Sequence, residues 1–142
     1  MNLGTDSKVV RWSNAVAAGS TDVESSAIDM LDYDNVMLIA GLGTLTAGQV
    51  TALSAEGGPN SDESSVSATW TPTTPAMADG DSNKLLILDI EKPLYRYIFA
   101  TINRKTQNAV IDFGIAILYN GKAKPAVVDS SVSQLTLVAG AV

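Results

Sequence analysis

The chain has 142 residues, of which 46% are hydrophobic, 17% charged and 6% aromatic, and a net charge of −6 with a pI near 4.4. It contains no cysteine and no histidine, which excludes disulfide frameworks, thiol nucleophiles, Cys/His zinc sites and histidine bases. Its basic residues are few and scattered, so the clustered cations that nucleic acid or an anionic membrane requires are missing.

In chain order, residues 1–7 read as an N-terminal arm without the basic and apolar segments of a signal peptide, so export is not expected. A first strand is expected over residues 8–16, where Val10 and Trp12 alternate with Val9 and Arg11, broken by Ala17-Ala18-Gly19-Ser20. Residues 24–28 suggest a short second strand before an acidic turn at residues 29–34. The apolar run of residues 35–42 reads as a strand covered on both faces, with Gly41 and Gly43 marking its end or a bulge. Alternation predicts a strand over residues 49–55, followed by a strong loop signal at residues 56–63. A further strand is expected over residues 65–71, where Val66, Ala68 and Trp70 alternate.

A second loop is expected at residues 72–83, with two prolines and an Asp79-Gly80-Asp81 turn. Strands then follow at residues 84–90, 95–101 and 109–119, the last closed by the turn dipeptide Asn120-Gly121. Residues 127–142 read as a C-terminal strand or arm, with strand-like alternation at residues 132–138. Eight or nine strands without a clear helix make an all-β, single-domain antiparallel β-sandwich over residues 1–142, of jelly-roll type with flexible termini.

Few residues carry chemistry. Asp29, Asp32 and Asp34 offer oxygen ligands at no recognised metal spacing. Asp79-Gly80-Asp81-Ser82-Asn83 begins like a calcium loop, but Lys84 and Ile90 occupy the positions that need Gly and Glu. Asp89, Glu91 and Asp112 are the carboxylates that could serve glycoside hydrolysis. Trp12, Trp70, Tyr95 and Tyr97 could stack sugars, although core packing is the ordinary role of such strand aromatics. Arg96, Arg104 and Lys105 could form a small basic patch or a solvated sheet face. Gly41-Leu42-Gly43-Thr44 lacks the further glycine, lysine and helix of a phosphate loop and reads as a strand end. No enzyme, cofactor or metal is expected from this inventory.

Two stretches carry a family likeness. One is Ser26-Ala27-Ile28-Asp29-Met30-Leu31-Asp32-Tyr33-Asp34-Asn35-Val36 running into Gly41-Leu42-Gly43. The other is Tyr95-Arg96-Tyr97-Ile98 through Arg104-Lys105-Thr106-Gln107-Asn108-Ala109-Val110-Ile111-Asp112 to Ala116-Ile117-Leu118-Tyr119-Asn120. With their strand order, residues 8–125 resemble the small capsid decoration proteins of tailed bacteriophages, also called cement or head-stabilising proteins. The resemblance implies a structural virion protein on the outer surface of a phage head, made in the host cytoplasm. It also implies a homotrimer that clamps neighbouring major capsid subunits. The loop at residues 72–83 and the tail after Val128 depart from the pattern. Tyr95, Tyr97 and Phe99 on one strand face, and Leu135 and Leu137 in the tail, are the expected oligomer or capsid contacts. The alternative is a carbohydrate- or receptor-binding jelly roll of a phage fibre or tail accessory protein.

Overall fold

A computed structural model describes residues 2–122 and 126–140. Among these residues the chain is nearly all β: a single helical turn, α1 (Leu3–Asp6), precedes β1 (Lys8–Ser13), β2 (Val16–Gly19), β3 (Val23–Glu24), β4 (Ile28–Asp29), β5 (Tyr33–Leu45), β6 (Val50–Gly58), β7 (Leu85–Glu91), β8 (Tyr97–Lys105) and β9 (Ala109–Gly121).

Two antiparallel sheets pack face to face. The first runs β1-β9-β5-β7, with β2 also on β9; the second runs β3-β8-β4, with β6 on β8. β1 and β2 pair with successive parts of β9, around residues 114–118 and 109–111, and so form one bent edge. β3 and β4 do the same along β8. Residues 72–77 run along the open side of β6, with Ala55 donating to the Pro72 carbonyl, Thr74 to Leu53 and Met77 to Thr51. With β1/β2 and β3/β4 each taken as one edge strand, the chain switches sheet at every step except from β6 to residues 72–77, the two-Greek-key arrangement of a jelly roll.

The core lies between the sheets and follows the period-2 rule. Val36, Leu38, Ala40 and Leu42 of β5, Leu53 and Ala55 of β6, Ile98, Ala100 and Ile102 of β8, and Ile111, Ala116 and Leu118 of β9 all belong to it. Trp12 packs onto it from β1 and lies over Gly114, where a Cβ would stand 2.7 Å from Trp12 Cε2. The glycine lets the indole reach the sheet.

The structure corrects several sequence expectations. The first strand breaks at Asn14-Ala15, and residues 17–19 belong to β2. β6 continues through Gly58, into the expected loop. Residues 65–71 form turns instead of a strand; of its alternating residues, Trp70 packs on the core, against Tyr95 at 5.2 Å. Gly41 and Gly43 lie inside β5, where the register against β9 shifts, so they mark a bulge and not the strand end. Asn120-Gly121 is no hairpin turn. Asn120 is left-handed (φ 55°) at the end of β9, and Gly121 pairs with Tyr33. Residues 132–138 form no strand; the tail lies across α1, with Leu135 and Leu137 against Gly4.

Candidate functional site

The expected contact strand divides its residues. Tyr95 precedes β8 and packs inward on Trp70 and Gly57, so close that a Cβ at Gly57 would stand 2.7 Å from its ring. Tyr97 is half-buried beneath the Arg96 guanidinium, 5.0 Å from the ring centroid. Phe99 is 3% exposed and has no surface to offer a partner in this conformation. Tyr95 and Tyr97 do not share a strand face because the strand begins only at Tyr97. Leu135 and Leu137 remain half-exposed, in the tail.

Three of the acidic candidates, Asp29, Asp79 and Asp81, are engaged with nearby donors. Asp29 receives Arg96 through both oxygens at 3.1 Å and the Leu31 amide at 3.0 Å; the arginine hydrogen bonds hold its carboxyl below the usual range. Asp79 accepts from the Gly48 amide and the Gln49 side chain, while Asp81 accepts from the Ala78 amide and Lys84 Nζ. Among the described residues, no group of three or more acidic side chains converges as a metal cluster would. Asp89 and Asp112 are not brought together. Asp89 lies in register with Ile117 by way of Met37, five positions along β9 from Asp112, which separates them by roughly 15 Å at strand rise. The paired carboxylates of a glycosidase stand closer than that.

The basic patch is also dispersed. Arg96 is tied to Asp29, whereas Arg104 is buried, donating to the carbonyls of Thr21 (2.8 Å), Ala17 (2.9 Å) and Ala109 (2.7 Å). Its position on the inward parity of β8, after Ile98, Ala100 and Ile102, was the available signal for that burial.

What sequence reasoning missed is the outer face of the first sheet. Its cross-strand register sets Ile87, Ile39 and Ile115 in one row, Asp89, Met37, Ile117 and Val9 in the next, and Leu85, Gly41 and Phe113 on the other side. Leu85 is 54% exposed, Ile87 49% and Val9 37%, whereas Met37, Phe113, Ile115 and Ile117 are half-buried against one another and Ile39 is buried. The expected double coverage of residues 35–42 is therefore only partial. Flat apolar strips of this kind are characteristic of association surfaces. Apolar residues at both parities along residues 109–119 were the sequence signal.

At one end of this face, α1 overhangs a groove of about 530 Å³ floored by Met37 and Ile117, with Leu3 on its wall. Its polar rim includes Tyr119, whose hydroxyl donates to Asp89 at 2.6 Å. That bond, reinforced by burial, raises the Tyr119 pKa. Fold and surface together define a jelly-roll β-sandwich with an apolar outer sheet. No protein-family model and no curated protein matches the chain. No helix among the described residues is long and apolar enough to cross a membrane.

Proposed function

We propose that the chain is a structural, non-enzymatic virion protein that decorates the outer surface of a phage head and clamps neighbouring major capsid subunits. The observation that carries this reading is the apolar outer face of the first sheet, centred on Met37, Ile39, Ile115 and Ile117, with exposed Leu85 and Ile87 beside it. A head presents many copies of one surface, so modest burial at each contact is multiplied by simultaneous engagement. The sequence resemblance supplies the kind of partner, and the jelly-roll topology suits a protein whose work is shape and edge contact.

The test uses heads of the phage that encodes the chain, prepared without it. Saturable pelleting of purified protein with these heads, and an increase in their thermal stability, is the expected result. No binding overturns the reading. The carbohydrate-binding alternative makes the opposite forecast: hits on a glycan panel and no affinity for heads. Of the aromatics it would use, Trp12, Trp70 and Tyr95 pack against the core.

A further inference from the structure

Sheet edges attract other strands, and proteins protect them by covering, shortening or interrupting them. Three of the four edges here carry such a device. The β1 edge is flanked by the tail, where the Arg11 amide donates to Ser131 Oγ at 2.9 Å and Lys8 meets Asp129 at 3.5 Å. The edge formed by β3 and β4 consists of two-residue strands. The segment at residues 72–77 contains Pro72 and Pro75. Among the described residues β7 is neither covered, shortened nor interrupted: it is a seven-residue terminal strand without proline, and it exposes Leu85 and Ile87.

The orientation of its backbone follows from its inner partner. The Lys84 carbonyl accepts from Leu42, and the Lys92 amide donates to Asp34, so even-numbered residues bond toward β5. The amides and carbonyls of Leu85, Ile87 and Asp89 therefore point away from the sheet.

We infer that β7 is a self-pairing edge through which two copies join antiparallel about a two-fold axis at Ile87. In this register Ile87 faces its own symmetry mate, Leu85 faces Asp89, and about six backbone hydrogen bonds form. On the core side, Leu86 meets Leu88. The row Ile115-Ile39-Ile87 then continues directly into its copy, making one apolar strip across both subunits. An axis at Leu86 pairs only residues 85–87 of β7, an axis at Leu88 sets Lys84 opposite Lys92, and an axis at Asp89 sets two carboxylates face to face. Like charges directly opposite are destabilising.

The seam is one strand wide, narrower than a standard interface of roughly 1,600 Å², so the pair is reversible. It does not rest on the capsid reading, and it differs from the three-fold ring that the resemblance implies.

The test is the solution mass of the full chain by sedimentation at increasing concentration. The expected result is a rise from 14.8 kDa towards twice that value, abolished by Ile87→Lys with an unchanged circular dichroism spectrum. The absence of native cysteine allows a second test that does not depend on that variant. Ile87→Cys alone should oxidise to a covalent dimer. Leu85→Cys and Asp89→Cys should cross-link when mixed and not singly. A chain that remains monomeric at every concentration, a trimer, or cross-linking that ignores these pairings overturns the inference. Because no heads are present, such failure leaves the capsid reading standing.

Discussion

The Arg104 guanidinium donates to the Ala109 carbonyl at 2.7 Å and through the same nitrogen to Ala17 at 2.9 Å, so a residue of the second sheet binds two strands of the first. Arg104 Nε closes the arrangement on the Thr21 carbonyl, and Asp22 accepts the Arg104 amide. Burial draws the Arg104 pKa below the ordinary arginine value, yet the group stays charged at neutral pH. The guanidinium thus acts as a clasp at one end of the sandwich.

Replacing the clasp should be costly. Arg104→Met leaves buried carbonyls without donors, and stability should fall by about 3 kcal/mol. Arg104→Lys should recover little of it, because one ammonium cannot reproduce the fork. Urea denaturation of the three proteins checks both statements.

Gly41 stands opposite Phe113, whose ring fills the space that a Cβ would need, as Trp12 does at Gly114. Gly41→Ala and Gly114→Ala should each destabilise the fold by about 1–3 kcal/mol through overpacking. Thermal melts give the test; in each case an unchanged midpoint would show that the ring moves away freely.

The pH dependence has a defined sign. Asp29 has a folded pKa below its ordinary 3.8, first through its hydrogen bonds from Arg96. Its contribution is therefore present above the ordinary value and lost as pH falls through the folded one. Since both partners are substantially exposed, the contribution is small. Arg96→Gln should make the acid limb of the stability curve slightly shallower and leave stability above pH ~6 nearly flat. Urea midpoints across that range decide it.

Tyr119 behaves in the opposite sense. Its pKa is raised above 10.0, with the hydrogen bond to Asp89 as the leading cause. The stability it contributes is present below its ordinary pKa and lost as pH rises through the folded one. Asp89→Asn should move one phenolic ionisation to lower pH in an absorbance titration, and Tyr119→Phe should remove that transition altogether.

The architecture was legible where one strand face is buried and the other is not. The alternation of Leu53 and Ala55 in β6 and of Ile98, Ala100 and Ile102 in β8 matches the core directly. Legibility failed where alternation was not tied to pairing. Val66, Ala68 and Trp70 have the spacing of a strand, yet their backbone turns, and the strand-like pairing beside β6 belongs to residues 72–77. The candidate surface was hidden for a related reason. Composition and periodicity identify β5 and β9 as apolar, but only the register aligns Ile87, Ile39 and Ile115 in one row. Phe99 shows the reverse error, because a strand aromatic outside the core cluster is still covered.

The most direct test of the central proposal combines this surface with the head. The double variant Met37→Lys/Ile117→Lys places charge on the half-buried outer sheet while leaving the residues between the sheets intact. Its binding to accessory-free heads is measured by pelleting beside the native chain, with circular dichroism and a thermal melt to establish folding. If the outer sheet docks on the capsid, the folded variant should lose at least tenfold in affinity, about 1.4 kcal/mol. A folded variant that pellets with the heads as well as the native chain would contradict the proposal.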